Sequence, residues 1–382
     1  MDSKFQAKLQ IGDVFTFDLL DNIGSVALAA GSEVTQEVLD RLQATGTSRL
    51  FVGPSKEESD NLAAAIIEGN YNSSHTNALA SIADDAPELL LNVASELSAG
   101  HRIDGETIDF LVAGYEAIAN EDPDVVLAHA MADAQDNQVV PLRSLRMCAM
   151  SVVGATRMGV SKSDRRQVGR AALLHDISLP LNWPELLTKI RNDPRDSQRA
   201  LEEYGTHPFR SADLLRSGLV GVTDLELTIV TQVHEQCDGT GFPRKHKRHI
   251  LHPLSRLVNV VDAYLTLTDD SHPDGGIMPA DALAYLVLHA LYGAFDRDCV
   301  QALVRSAAVY PVGSEVKLSN NETGTVMRSR DGDYLRPIVR LHTPESETLD
   351  LSRSQHHIVE PVGAKGKRLS KSRIHKPLWR TF

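Results

Sequence analysis

The adjacent pair His175-Asp176, inside Ala-Ala-Leu-Leu-His-Asp-Ile (171–177), sets an imidazole and a carboxylate side by side in an apolar stretch. Three further residues of ligand type follow, His207, His234 and Asp262, at intervals of 32, 27 and 28 residues. Each interval is about the length of one helical hairpin. Neighbouring His and Asp on a helix can share one metal ion or bridge two, and single ligands from later helices can close the shell. The spacing therefore predicts an internal metal centre built from several helices.

Helices must carry such a set, and the periodicity supplies them. From about residue 86 to 309 apolar residues recur at helical spacing. Asp104-Gly-Glu-Thr-Ile-Asp opens one helix with acids in its first turn, Pro123 suits the start of the next, and Ser161-Lys-Ser-Asp leads into the segment with His175-Asp176. Before this block, residues 8–53 alternate short apolar runs with turns, include a helical Thr35-Gln-Glu-Val-Leu-Asp-Arg-Leu, and end on a strand-like Arg49-Leu-Phe-Val. After it, Glu315-Val-Lys-Leu, the turn Ser319-Asn-Asn-Glu and Thr323-Gly-Thr-Val-Met read as a hairpin, with Pro337-Ile-Val-Arg-Leu as a third strand. The expected organisation is mainly α. A small α+β module (1–53) and a polar linker containing a short helix (54–85) precede a helical bundle domain (86–310), followed by a small β module (311–362) and a basic tail (363–382).

The 382 residues carry a net charge of −12, unevenly spread. Lys365, Lys367, Arg368, Lys371, Arg373, Lys376 and Arg380 make residues 361–382 +7 with no acid, leaving −19 on the rest. Such a tail can bind nucleic acid, an anionic membrane or the protein's own acidic body; a solvated end is the plain reading. The cysteines Cys148, Cys237 and Cys299 form no disulfide or zinc pattern. No signal peptide or uninterrupted transmembrane stretch is legible, so a cytoplasmic protein is expected. His246, His249 and His252 lie among basic residues and read as a solvated loop.

Ordered motifs extend the first pattern. Ala-Leu-Leu-His-Asp-Ile (172–177), Thr206-His207-Pro208 with Ser211-Ala-Asp-Leu-Leu, His234-Glu-Gln-Cys-Asp-Gly-Thr-Gly-Phe-Pro243 and Leu257-Val-Asn-Val-Val-Asp-Ala-Tyr together resemble the HD-GYP family of bacterial cyclic di-GMP phosphodiesterases. The resemblance covers roughly 125–310. It implies a helical HD-type fold and two or three metal ions, commonly iron or manganese, that cleave a phosphodiester. It places His175, Asp176, His207, His234 and Asp262 as ligands, with His175 and Asp176 central to catalysis and Asp176 a bridge. Asp238, Gly239, Gly241, Phe242 and Pro243 would shape the substrate loop, where glycines allow close backbone approach.

The departures from that pattern decide the expectation. A family histidine about thirty residues before the HD pair corresponds to Arg143 in Arg-Ser-Leu-Arg-Met. The first of two successive histidines becomes Val233, a lysine becomes Leu179, the motif tyrosine becomes Phe242, and an acidic ligand of some relatives becomes Val139. Arginine stays protonated and cannot ligate a metal. At about 5 Å from a dication and an effective dielectric near 20, its repulsion is on the order of 6 kcal/mol before screening. Arg143 is therefore expected either to stand in for a metal against Asp176 and Asp262, or to fork onto a nucleotide phosphate. The expected function is cyclic di-GMP signalling, as a nucleotide receptor or interaction scaffold with weak or no hydrolysis and metal optional. The alternative is an active phosphodiesterase on a reduced metal site. A protein partner would dock through the N-terminal module or the tail, and a homodimer is compatible with the sequence.

Overall fold

The computed structural model describes residues 9–15, 17–20, 26–28, 31–44, 51–55, 71–130, 139–179, 194–269, 276–330, 332–362, 366–370 and 372–380. Strands β1 (Phe17–Leu20), β2 (Val26–Leu28) and β3 (Phe51–Ser55) form a small antiparallel sheet in the order β2-β1-β3, with helix α1 (Gln36–Ala44) between β2 and β3 in the chain. Leu19, Leu28 and Val34 are its core. The α+β character matches expectation; Arg49 and Leu50, at the start of the expected last strand, fall outside the described residues.

Helix α2 (Ser73–Ser98) is longer than the short helix expected in the linker, because it runs from within the linker through Pro87 into the bundle domain. Asn72 caps it by accepting from Ser74 N. Proline inside a helix removes one ladder bond. Here Leu79, Ala86, Pro87, Leu90, Val93 and Leu97 are all buried, so packing outweighs that loss.

The bundle continues through α3 (Glu106–Glu121), α4 (Pro123–Ala130), α5 (Val139–Arg157), α6 (Lys162–Leu174), α7 (Pro194–Gly205), α8 (His207–Gly218), α9 (Asp224–Gln232), α10 (Pro253–Thr268), α11 (Pro279–Leu291) and α12 (Arg297–Ala307). Capping fixes where the site helices begin. Ser161 accepts from Asp164 N at α6, and a capping box of Thr223 and Glu226 opens α9. Gly169 lets α6 approach its neighbours, since a Cβ there would lie 2.5 Å from Val112 and 2.9 Å from Val152. Buried Arg170, on α6, donates to Glu226 of α9 (2.6 Å) and pairs with Asp109 of α3. This ties together the two helices whose C-terminal ends deliver His175 and His234.

Strands β4 (Glu315–Leu318), β5 (Thr323–Arg328), β6 (Ile338–Leu341), β7 (Thr348–Asp350) and β8 (Ile358–Val362) form an antiparallel sheet in the order β7-β6-β5-β4-β8. The hairpin and third strand are as expected; β7 and β8 complete the sheet. The sheet is joined to the bundle through buried Arg328, which donates to Asp122 and lies 4.4 Å from the Tyr71 ring centre. Ser329 adds two bonds to Asp124.

The described part of the tail is not the solvated end its charge suggests. Leu378 is buried, and Trp379 packs edge-on against His289, Phe295 and Tyr285. Arg368 Nε and Leu369 N both donate to Asp281, and His289 Nε2 donates to the Ile374 carbonyl. Apolar anchors spaced along the basic run hold it against α11. Among the described residues no helix is long and apolar enough to cross a membrane.

Candidate metal centre

His175-Asp176 does not lie inside a helix, as expected from the sequence, but at the end of one. Helix α6 stops at Leu174 and His175 is its C-cap. The last carbonyls of a helix lack partners, and His175 Nδ1–H meets one by donating to Ala172 O at 2.8 Å. His207, the first residue of α8, does the same with Tyr204 O at 2.6 Å. In both rings the committed Nδ1 proton leaves Nε2 as a lone pair facing inward, the tautomer a metal needs.

Those lone pairs converge on one carboxylate. His175 Nε2 lies 3.0 Å from Asp176 Oδ2, and His207 Nε2 lies 3.0 Å from Asp176 Oδ1. His175 Nε2 and Asp176 Oδ1 are nevertheless buried without a hydrogen-bond partner. Buried polar atoms are rarely left so. Nitrogen lone pairs and carboxylate oxygens gathered around a point lacking a donor fit a cation, and ligand atoms of His175, Asp176 and His234 lie within 4.8 Å of one another. Burial alone would raise the Asp176 carboxyl; the surrounding histidines, His175 first and then His207 and His234, hold it well below the carboxylate range.

The other half of the site is arranged differently. His234 sits just past α9, with Nδ1 3.0 Å from Asp262 Oδ2 and Nε2 2.9 Å from His207 Nε2. Since His207 Nε2 is the lone pair, His234 supplies both protons and is an imidazolium. Burial alone would lower its pKa, but Asp262 first, then Asp176, raise it to about 9. His207 is moved the opposite way, chiefly by burial.

Arg143, on α5, reaches the same carboxylate from the other side. Its Nη2 donates to Asp262 Oδ1 (2.5 Å), to the Asp262 carbonyl (3.1 Å) and to Thr266 Oγ1 (2.8 Å). Asp262 and Thr266 are one helical turn apart on α10, so a single face offers three acceptors to one guanidinium. With both partners present, the Asp262 carboxyl is held below its usual range, although burial alone would raise it.

The remaining candidates sort clearly. Phe242 stacks on His234, ring centres 4.8 Å apart at 15°. Gly241 lies where a Cβ would meet His234 O and Gln236 N, each at 2.4 Å, so only glycine folds the loop back this tightly. Gly239 has φ +81°, and Pro243 follows Phe242 in the loop. Asp238 is exposed and accepts from Thr240 N; it serves the turn. Leu179 is buried against Val140, Ala200 and Tyr204, and Val233 is buried with its carbonyl accepting from Asn259 Nδ2 (2.8 Å). Val139 is the first residue of α5. Burial raises the Cys237 thiol to about 11, in keeping with a packing role. His249 is exposed, and His252 caps α10.

Four residues were not singled out from the sequence. Thr266 completes the arginine socket. Tyr204 lies 4.6 Å from the His207 ring and 5.6 Å from Phe242. Asn259 fixes the backbone beside His234. Glu235 accepts from Arg244 N and His246 N, tethering the basic loop. The available signal was helical spacing: Asn259 and Thr266 flank Asp262 by three and four residues, and Tyr204 precedes His207 by three.

Comparison with known proteins agrees with this frame. An HD domain matches residues 126–299. The cyclic di-GMP phosphodiesterase PA4108 of Pseudomonas aeruginosa is 25% identical over 331 residues, covering 80% of this chain and 76% of that protein. The 3'3'-cGAMP-specific phosphodiesterase 3 of Vibrio cholerae is 25% identical over 177 residues, 44% of this chain and 35% of that protein. The cyclic di-GMP phosphodiesterase response regulator RpfG of Xanthomonas campestris is 28% identical over 165 residues, 43% of this chain and 42% of that protein. This chain thus carries an HD domain over residues 126–299, and its HD pair, later histidines and Gly-Phe-Pro loop stand in the order of the HD-GYP proteins it resembles.

Proposed function

We propose that this protein acts in cyclic di-GMP signalling as a nucleotide receptor or interaction scaffold, with a metal centre too eroded for two-metal hydrolysis. The observation that carries this reading is Arg143 seated on Asp262 and Thr266. Asp176 and Asp262 bring two negative charges to a buried site, and Arg143 and the His234 imidazolium bring two positive ones. A buried carboxylate needs such a partner once no metal serves it. Asp262 then has no free oxygen to offer: Oδ1 holds Arg143 and Oδ2 holds His234. This favours the metal stand-in reading of Arg143 over the phosphate fork.

A single divalent ion, iron or manganese, still fits the other half, where His175 and Asp176 would hold it together with His207, or with His234 once its Nε2 proton is lost. When bound, a metal there polarises a phosphoryl oxygen and supplies hydroxide near neutral pH. The orphaned His175 Nε2 and Asp176 Oδ1 support a second reading, a phosphodiesterase on that reduced centre. In both readings Phe242 and the Gly239–Pro243 loop form the nucleotide-facing wall, and the protein works in the cytoplasm.

Cyclic di-GMP separates the two. At about a hundred times its dissociation constant it should add roughly 2.7 kcal/mol of stability, seen as a raised melting temperature, while chromatography of the nucleotide shows no product. Turnover that Asp176→Ala abolishes would favour the reduced-metal enzyme and end the receptor reading. No shift and no turnover would leave only the scaffold role.

A further inference from the structure

Helix α11 is apolar on both sides. Its inner side buries Ala282, Leu283, Tyr285, Leu286 and Ala290. Its outer side presents Ala284, Val287, Leu288, Leu291 and Tyr292, an i, i+3, i+4, i+7, i+8 stripe continuing one residue past the helix. Val287, Leu291 and Tyr292 are 43%, 58% and 62% exposed. Asp281 is the only acid on this helix, and it accepts from Arg368 and Leu369 at the far end. Single exposed apolar residues are ordinary, but a helix that is apolar all round calls for something to cover it.

The basic tail borders this stripe. Its backbone is fastened to α11 by the His289–Ile374 bond and by Tyr285 Oη donating to the Lys376 carbonyl. The His375 ring lies 6.5 Å from the Tyr292 ring. His375 and Lys376 are exposed at this end, and Lys367, bridged to Ile277, is exposed beside the helix start. Among the described cations of the tail, Lys367 and Lys376 are thus exposed next to apolar surface, while Arg368 pairs with Asp281, on a chain otherwise strongly acidic.

We propose that the outer face of α11 and the adjoining tail dock on an anionic phospholipid bilayer. Interfacial binding needs an apolar stripe to enter the acyl boundary and flanking cations to meet the headgroups. Tyr292, at the end of the stripe, has the amphipathic ring favoured at that depth. A second copy is the competing occupant, but a two-fold pairing sets like surfaces opposite each other and would bring the two tails' cations together. Charge complementarity favours the bilayer. The inference is independent of whether the metal centre is intact.

Co-sedimentation with vesicles tests it. The full chain should pellet with phosphatidylcholine vesicles containing phosphatidylglycerol, stay in solution with phosphatidylcholine alone, and be released by high salt. Leu291→Glu and Tyr292→Glu should each reduce the bound fraction about tenfold, and Lys376→Glu should weaken binding independently of the stripe. All three positions are exposed, so the melting temperature should not move. Equal pelleting of the parent and Leu291→Glu would overturn the proposal. So would a parent dimer in analytical ultracentrifugation that Leu291→Glu dissociates, without vesicle binding by either protein.

Discussion

Replacing Arg143 with histidine raises the metal content of this protein from at most one ion per chain to about two, the number a two-metal phosphodiesterase uses. The substitution removes a fixed positive charge whose repulsion of a nearby dication is on the order of 6 kcal/mol, and it frees Asp262 Oδ1. At about 1.4 kcal/mol per tenfold, even half of that repulsion shifts metal affinity about a hundredfold. Arg143→Gln separates charge from ligation, because it removes the cation and adds no donor suited to iron or manganese. Elemental analysis after anaerobic loading should rank Arg143→His above Arg143→Gln, and Arg143→Gln level with or slightly above the parent. A histidine variant no richer in metal than the parent would mean that Arg143 is not what closes the site.

Asp262→Asn should destabilise the metal-free protein by about 3–5 kcal/mol, the cost of breaking a buried ion pair from one side. Arg143 would keep only neutral acceptors and lose its counter-charge, and His234 would lose the anion that keeps it charged. In a site built solely for metal the sign reverses, since removing one of two crowded carboxylates relieves the apoprotein. The pH profile gives a second readout. His234 has a folded pKa raised from 6.5 to about 9, so its stabilising contribution is complete below about 6.5 and is lost as pH rises through about 9. Denaturation curves of the parent should show that decline, and those of Asp262→Asn should flatten it.

How much of this was legible beforehand varies with the physics involved. The histidines and aspartates could be ordered from spacing because the His175-Asp176 pair, His207 and His234 lie at successive helix ends and Asp262 inside the next helix, and helix lengths are written in apolar periodicity. That His175 is a C-cap rather than an interior residue was not legible: it depends on a side-chain bond to Ala172 that competes with one more turn of helix. The length of α2 was missed because the polar residues of 54–85 read as linker, while the burial of Leu79, Ala86 and Pro87 depends on distant partners. The tail misled for a similar reason, its seven cations masking the apolar anchors Leu369, Leu378 and Trp379. Arg143 could be read as a misfit but not assigned a partner. Its socket is formed by residues 119 and 123 positions away, and nothing local marks Thr266 as an acceptor.

The proposed function rests on Arg143 closing the Asp262 half of the centre. Its most direct test is the metal content of the unmodified protein, purified without oxygen and supplied with iron and manganese. The arrangement of Arg143, Asp262 and His234 predicts no more than one ion per chain. About two ions per chain would contradict it.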